Sequence, residues 1–380
     1  MLQMENRFAF SEDHNIFRDT VRKIFDKVML PNLETHEREG IVGRAEWRQV
    51  GAAGLLSPGI PEEYGGLGLD YGYNAVVTEE LAYLGSSAGF PLHSDIATDY
   101  IIHYGSAEQK RKYLPRMVTG ELITAIAMTE PGAGSDLQGV RTTAKKSGDE
   151  YVINGSKTYI TNGQNADLII VVVKTDPARG AKGTSLVLVE APTEGFVRGR
   201  NLDKIGQNSA DTSELFFQDV RVPLSNVLGE ENQGFIYLMS QLPQERLSIA
   251  LAAQASAQRA FDEAVKFTRE RAAFGRKVIE FQNTKFQLAD LKTKLQVGWA
   301  HADWALKRHI EGKLTTAEAS AAKLWHTEML DDVVDMALQL HGGAGYMNEY
   351  MIARLWRDAR VTRIYGGTSE IMREVVSRSI

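Results

Sequence analysis

The hydrophobic periodicity of the chain changes twice, and this change constrains the fold more than any single motif. Up to about residue 120, apolar side chains recur every three or four positions, which is typical of amphipathic helices. Short β-branched runs separated by turn residues follow, and from Gly234 the helical repeat returns. We therefore expect an α+β protein with domains at residues 1–121, 122–232 and 233–380.

The first region contains recognisable helix caps. Ser11, followed by two acidic residues, is expected to cap a helix that ends before Pro31. Ser106 and Gln109 have the spacing of a capping box, which predicts the start of another helix. These signals and the helical repeat predict that residues 1–121 are all-helical.

The middle region has the sequence pattern of a β-domain. Its segments include YVINGSKTYIT, DLIIVVVKT and TSLVLVEA, which are short and rich in β-branched residues. Turn chemistry such as SGDE and PARGAKG separates them. This pattern predicts a compact β-sandwich or barrel.

The third region consists of long helical segments with short connections. Each of its first three segments is much longer than an average helix, and Thr315 with Glu318 forms a capping box at the start of the third. A bundle of long antiparallel helices is the expected arrangement.

Composition excludes several functions. The chain has 380 residues, with 43 Lys plus Arg against 49 Asp plus Glu, so its net charge of -6 gives no general attraction to nucleic acid or anionic membranes. It has no cysteine, which excludes disulfides and thiolate chemistry, and no histidine pair with HxxxH spacing, so we expect no metal site. The N-terminus lacks the apolar core of a signal peptide, and no apolar run approaches about 18 residues. We expect a cytoplasmic protein without membrane insertion.

Two loop motifs each allow two interpretations. TEPGAGSD, residues 129–136, contains Pro131 and opens no helix, so it is not a dinucleotide-binding glycine loop. It is either a plain surface turn or a loop whose amides and hydroxyls contact a polar ligand. RERAAFGRKV, residues 269–278, is either favourable positive charge at a helix C-terminus or a phosphate clamp formed by Arg271 beside Phe274.

Two further motifs suggest a site without an obvious catalytic group. RIYGGTSEI, residues 363–371, places Gly366 and Gly367 before a predicted helix, where the backbone could approach a ligand closely. Glu245, within LPQERL, is expected in the first turn of a bundle helix, above a face of small residues. There it is either a partner of the helix dipole or a catalytic acid or base.

Taken together and in order, TEPGAGSD, KTYITNG, RERAAFG, QLHGGAGY and RIYGGTSEI resemble the acyl-CoA dehydrogenase family over essentially the whole chain. The presence of both IYGGT and LPQERL resembles its long-chain branch. The resemblance implies a helical N-terminal domain, a middle β-domain and a C-terminal four-helix bundle. It also implies FAD as cofactor, an acyl-CoA substrate, an electron-transferring flavoprotein as partner, and assembly as a homotetramer (or dimer).

The resemblance also assigns roles to individual residues. Thr129, Ser135 and Thr161 correspond to positions around the flavin ring and phosphates, and Tyr159 occupies a place where many members have Trp. The set that holds the ADP half, partly across a subunit interface, corresponds to Arg271, Phe274, Gln282, Gln339 and Gly343. Thr368 and Glu370 match positions beside the flavin. The substrate contacts correspond to Ser135, Arg246, Tyr365 and Gly367, although a structural ion pair is an alternative role for Arg246.

The resemblance also implies which residue is the catalytic base. Short- and medium-chain members have a catalytic glutamate at the position of Gly366, whereas the long-chain and isovaleryl branches take the base from a bundle helix, where this chain has Glu245. The main-chain N–H of Gly366 is still expected to hydrogen-bond the thioester carbonyl, because an amide needs no side chain for that. Glu370 is a second, poorer candidate for the base.

The sequence is also compatible with two other functions. A flavin monooxygenase on the same fold would need no α-proton base, so Glu245 argues against it. A non-catalytic scaffold member would not need the base either. The sequence leaves the length and branching of the acyl chain open, and we expect the first domain, near residues 90–95, to contribute the end of the acyl pocket.

Overall fold

The computed structural model describes residues 7–380, and its first region is helical, as predicted. Ser11 caps α1 with a capping box, and a second capping box at Ser106 and Gln109 opens α6. A wide π-helical stretch, Leu92–Ala97, leads directly into α5. The helices are α1 Glu12–Val28, α2 Leu33–Glu39, α3 Arg44–Ala52, α4 Tyr71–Leu84, α5 Thr98–Tyr104 and α6 Ala107–Val118.

The middle region forms one curled seven-stranded sheet. Its strands are β1 Thr124–Ala127, β2 Thr143–Ser147, β3 Glu150–Thr161, β4 Leu168–Lys174, β5 Thr184–Glu190, β6 Phe196–Asn201 and β7 Thr212–Pro223. β4 pairs with β1 in parallel and with β5 in antiparallel fashion, and its last residue, Lys174, pairs with Thr143. From β2 the sheet continues through β3 and β7 to β6. Every residue of β4 is buried, which explains its unbroken apolar run.

The third region is a bundle of long helices. Its elements are α7 Gly234–Glu270, the short hairpin β8 Ala272–Ala273 and β9 Arg276–Lys277, α8 Gln282–Ile310, α9 Thr316–His341, α10 Met351–Ala359 and α11 Ser369–Ser377. The capping box at Thr315 and Glu318 opens α9, as predicted. The helices α10 and α11 both pack on α9.

The helical first region and the bundle share one hydrophobic core. Trp47 and Phe90 belong to the same buried cluster as Leu247 of α7 and Trp299 of α8. A second cluster joins α5 and α6 to one face of the sheet, and a third covers its other face. The first region is therefore packed between the sheet and α7, which brings residues from distant parts of the sequence together at α7. Among residues 7–380, no helix combines the length and apolar character that crossing a membrane requires.

Candidate active site

Glu245 is a buried carboxyl group that faces the first domain. Only 6% of the surface of Glu245 is exposed, and the Tyr100 hydroxyl donates a hydrogen bond to Glu245 Oε1 at 2.9 Å. Burial raises the pKa of Glu245 to about 7, while the Tyr100 hydrogen bond and the charge of Arg246 act in the opposite direction. A carboxyl group with a pKa near neutrality can exchange a proton at working pH.

The expected position of Glu245 in a first helical turn is wrong. The helix α7 begins at Gly234, so Glu245 lies about three turns inside it, and Pro243 is accommodated within the helix. The sequence pattern misplaced the start because proline normally marks a helix boundary. Glu245 is therefore too far from the helix N-terminus to act as a partner of its dipole.

Gly366 and Gly367 form a turn that lies against the same part of α7. Both have positive φ angles, 63° and 97°. A β-carbon placed on Gly366 would lie 2.5 Å from Ile249 Cδ1, and Ile249 is one turn beyond Glu245. No hydrogen bond among residues 7–380 uses the Gly366 N–H, so this amide is free to donate to a ligand. The structure thus brings together the two positions that the sequence assigned to catalysis.

Two buried cationic side chains, Lys323 and Arg246, lie next to Gly367 of the glycine turn. Lys323 of α9 donates from Nζ to the carbonyl oxygens of Thr362 and Gly367, at 3.0 and 2.8 Å. Burial, with a smaller contribution from the charge of Arg246, lowers the pKa of Lys323 to about 8. Lys323 therefore ties Gly367 of the turn, and Thr362 in the segment before it, to α9.

Arg246 lies between α7 and α9. Its Nη1 donates to Ser320 Oγ at 3.0 Å, and its Nη2 is 3.8 Å from a β-carbon placed on Gly367. Within residues 7–380 it forms no salt bridge, and its buried Nε has no hydrogen-bond partner. The structural ion pair considered for Arg246 is thus not formed, and its guanidinium lies beside the turn.

The start of α11 follows the glycine turn directly. Thr368 caps this helix by accepting a hydrogen bond from Ile371 N at 3.3 Å. Ser369 Oγ is buried and has no partner among the described residues. Glu370 is exposed, and hydrogen bonds from its own backbone N–H and from Thr368 lower its pKa. A solvated carboxyl with a lowered pKa is a weaker base than Glu245, which supports the order of the two candidates.

Three of the positions assigned to the flavin lie together on the middle domain. The Thr158 N–H donates to the carbonyl of Thr129 at 3.0 Å, which places Thr129 beside Tyr159 and Thr161 on β3. Tyr159 is 70% exposed and has a φ angle of 60°, at an irregularity of the strand. Ser135 lies in the exposed loop after Thr129.

A buried ion pair lies beneath the surface formed by Thr129, Tyr159 and Thr161. Lys157 Nζ donates to Glu130 Oε1 at 2.8 Å, and Glu130 also accepts from the amides of Arg141 and Thr142. No hydrogen bond among residues 7–380 connects the surface itself to Glu245 or to the glycine turn. Tyr365, before the turn, is linked to the middle domain instead, because its hydroxyl accepts from Gln207 Nε2 at 3.3 Å.

The residues assigned to the ADP half gather at the other end of the bundle. Gln339 lies in the last turn of α9, and the others follow the C-terminal ends of α7 and α9, which are joined by stacking of Phe267 on His341. All are exposed or lie at exposed turns: Arg271, Phe274, Gln282, Gln339 and Gly343. Phe274, at the hairpin tip, is 95% exposed.

These residues are far from the candidate base. Along the axis of α7, Arg271 lies about 39 Å from Glu245 at the usual rise of 1.5 Å per residue. The structure therefore does not bring the ADP set and the base together within one chain.

Sequence reasoning missed two residues of this site. Tyr100 has the pattern of an apolar core residue, so nothing in the sequence indicated its contact with Glu245. Lys323 carried a weak signal, because a lysine among the alanines of ASAAK lies on a face that a bundle would bury. Among residues 7–380 no cluster of three or more side chains has the composition of a metal site.

The arrangement defines a class of enzyme. A buried carboxyl with a pKa near neutrality lies one helical turn from Ile249, which contacts a glycine turn with a free amide. The chain lacks cysteine nucleophiles, and the described residues contain no metal cluster. Such a site can remove a proton next to a carbonyl group while the amide stabilises the developing negative charge.

Comparison with known proteins identifies the family. Residues 11–121, 125–220 and 232–380 match the N-terminal, middle and C-terminal domains of acyl-CoA dehydrogenase. The long-chain specific acyl-CoA dehydrogenase of Sus scrofa mitochondria is 50% identical over 377 residues, 98% of this chain and 88% of that protein. The chain belongs to the acyl-CoA dehydrogenase family and is an oxidoreductase of fatty acid metabolism.

Solved structures agree with this assignment. An acyl-CoA dehydrogenase from Geobacillus kaustophilus superposes with a TM-score of 0.97 at 49% identity, covering 98% of this chain and 99% of that one. A glutaryl-CoA dehydrogenase from Mycobacterium smegmatis in complex with FADH2 superposes with a TM-score of 0.92 at 27% identity, covering 98% and 95%. The expected family and fold are therefore confirmed.

Proposed function

We propose that the protein oxidises a long-chain or branched fatty acyl-CoA to its trans-2-enoyl-CoA, with Glu245 as the base. The observation that carries this proposal is the position of a buried carboxyl, with a pKa near 7, beside a glycine turn that has no carboxyl of its own. The 50% identity to a long-chain specific enzyme supports the substrate class.

The chain's own groups account for the proton transfer. The Gly366 N–H hydrogen-bonds the thioester carbonyl and so acidifies the α-carbon. Glu245 takes the α-proton, the α-carbon electron pair forms the new double bond, and the β-hydrogen leaves as hydride. Arg246 and Lys323, whose positive charges flank the turn, also favour the negative charge that develops on the carbonyl oxygen.

The residues present fit FAD. The exposed Tyr159 surface, with Thr129, Ser135 and Thr161, offers hydroxyls and a ring for the flavin end, and the buried, unpartnered Ser369 Oγ lies at the start of α11 beside Thr368 and Glu370. Phe274 is 95% exposed, and it lies three residues after Arg271, so its ring and the guanidinium are both accessible to the ADP half of the cofactor. Held by these residues, FAD would supply the acceptor for the hydride, and in this proposal an electron-transferring flavoprotein would be the next electron acceptor.

The distance between the residues assigned to the ADP half and Glu245 supports assembly of the chain into an oligomer. Because Arg271 lies about 39 Å from Glu245 along α7, the ADP set of one chain would serve the FAD of a neighbouring subunit. We infer a homotetramer (or dimer) on this basis. Location in the cytoplasm stays a prediction, as do the domain boundaries.

Anaerobic titration with acyl-CoAs tests the function. The panel runs from butyryl-CoA to palmitoyl-CoA and includes isovaleryl- and citronellyl-CoA, and the readout is loss of the flavin's visible absorption. We expect bleaching by the long-chain or branched members. In Glu245→Gln, FAD should be retained and the bleaching rate should fall by about 10²- to 10⁴-fold.

A matched variant and two outcomes complete the test. Glu370→Gln should lower FAD retention and leave proton abstraction intact. Selective loss of proton abstraction in Glu370→Gln would reverse the assignment of the base. Absence of bleaching by every thioester, with FAD bound, would favour a monooxygenase or a scaffold function instead.

A further inference from the structure

Tyr100 and Glu245 belong to a pair of contacts that joins α5 to α7. The Tyr100 O–H donates to Glu245 Oε1 at 2.9 Å, and one turn away Gln241 Nε2 donates to the Tyr104 hydroxyl at 3.2 Å. On each helix the two contacting residues are four positions apart, so their side chains lie on the same face of that helix. The contacts run in opposite order along the two helices, so α5 and α7 are antiparallel here.

The contact holds only one oxygen of the carboxyl group. No hydrogen-bond donor within residues 7–380 reaches Glu245 Oε2. Tyr100 itself is fully buried, and its ring packs near Tyr104, which stacks on Tyr237 with centroids 3.9 Å apart. A rigid donor on Oε1 therefore fixes the direction in which Oε2 presents its lone pairs.

We propose that Tyr100 is a positioning residue for the base: its hydroxyl holds Oε1 of Glu245 and leaves Oε2 as the oxygen that takes the α-proton. This inference rests on the proposed function, because it needs Glu245 to be the base. It assigns a role in proton abstraction to a residue of the first domain, 145 positions away from Glu245 in the sequence.

The hydroxyl also changes how readily the base ionises. The charges that act on Glu245 are those of Asp99 on α5 and Arg246 on α7. The charge of Lys323 on α9 acts on Arg246 rather than on Glu245. Burial and Asp99 raise the pKa of Glu245, and the Tyr100 hydrogen bond and Arg246 lower it. Removal of the hydroxyl therefore leaves more of the carboxyl protonated, and inactive as a base, near neutral pH.

Tyr100→Phe tests the proposal, with Tyr104→Phe as the matched control. The measurement is the pH dependence of anaerobic flavin reduction by a saturating acyl-CoA in the FAD-loaded enzyme. In Tyr100→Phe the acid limb should move to higher pH by about one pH unit, so that the rate at pH 6 falls about tenfold. The KM should change less than kcat. Tyr104→Phe removes an equivalent hydroxyl from the same helix face and should keep the wild-type profile.

A second measurement does not depend on turnover. Infrared difference spectra in a pH titration report the carbonyl stretch of a protonated carboxyl group, and the band from Glu245 is the one lost in Glu245→Gln. In Tyr100→Phe this band should persist to higher pH than in the wild type. If Tyr100→Phe fails to fold, site-specific 3-fluorotyrosine at position 100 replaces it. This more acidic phenol is a stronger donor and should move the acid limb to lower pH.

The outcomes separate this proposal from the proposed function. Tyr100→Phe combined with Glu245→Gln should be no slower than Glu245→Gln alone, because Tyr100 acts through the base. A wild-type pH profile and infrared titration in Tyr100→Phe, with Glu245→Gln inactive, would overturn the role of Tyr100 alone. Wild-type bleaching by Glu245→Gln would overturn the base assignment and both proposals.

Discussion

A β-carbon on Gly366 would lie 2.5 Å from Cδ1 of Ile249, so the glycine turn and α7 are in contact at the candidate active site. That distance is too short for two carbon atoms, and the φ angle of Gly366, 63°, is itself unfavourable for other residues. A side chain at position 366 therefore requires Cδ1 of Ile249 to move from its present place.

We predict that Gly366→Ala destabilises the protein by about 1–3 kcal/mol and slows flavin reduction. Ile249→Val removes the clashing Cδ1 atom, so the double variant should recover part of the loss. Chemical denaturation of the four proteins in a double-mutant cycle measures this coupling. Strict additivity of the two substitutions would show that the contact does not cause the loss.

The pKa of Glu245, about 7, predicts the pH dependence of turnover. The base acts only when ionised, so kcat/KM should fall as the pH falls through about 7 and reach a plateau above it. Stopped-flow flavin reduction between pH 5.5 and 8.5 measures the profile. A rate that is constant over this range would contradict an ionisation of the base near pH 7.

Lys323 is expected to stabilise the glycine turn. Lys323→Met leaves the carbonyl oxygens of Thr362 and Gly367 without their donor, which should cost about 1–3 kcal/mol of unfolding free energy and lower kcat. Lys292→Met, at an exposed position on α8, should change stability by no more than about 0.5 kcal/mol. If Lys323→Met and Lys292→Met changed the unfolding free energy and kcat equally, Lys323 would have no specific role in the site.

Arg271 is predicted to hold the cofactor of a neighbouring subunit. Arg271→Ala should lower FAD retention, most strongly at low protein concentration, with little change in the stability of the cofactor-free chain because Arg271 is exposed. Arg269→Ala, also exposed at the end of α7, is the control. Sedimentation combined with flavin absorbance measures assembly and FAD content together. Equal FAD retention by both variants would exclude the clamp.

The lowered pKa of buried His93 predicts that the protein loses stability in acid. The Nε2–H of His93 donates to the Met117 carbonyl, its Nδ1 accepts from Thr124, and burial lowers its pKa to about 4. The unfolded chain binds the proton more tightly, so stability should fall as the pH falls from about 6.5 toward 4, by a few kcal/mol at most.

A second histidine provides the control for this prediction. His93→Gln, which keeps an uncharged donor, should flatten the acid loss in thermal unfolding. The pKa of His103 is raised to about 8, chiefly by its hydrogen bond to Asp99, so its contribution has the opposite sign: it is present below about pH 6.5 and lost as pH rises through 8. His103→Gln should therefore leave the acid loss in place. An unchanged acid loss in His93→Gln would assign it to other groups.

The sequence by itself determined the order of helices and strands, the helix caps and the family, because all of these depend on short-range signals. Ser11, Ser106 and Thr315 cap helices where the spacing predicted. The exception is the start of α7, where Pro243 suggested a boundary but the helix continues through it, since packing of a long apolar face outweighs one lost backbone hydrogen bond.

Only the tertiary structure decided how the candidate site is built. That Tyr100 contacts Glu245, that Lys323 ties down the glycine turn and that Arg271 lies far from the base all depend on how separate helices pack. Such contacts join residues that are distant in the chain, and neither periodicity nor capping carries information about them. The pKa of Glu245 has the same origin, because burial raises it and burial exists only once α5, α7 and α9 are assembled.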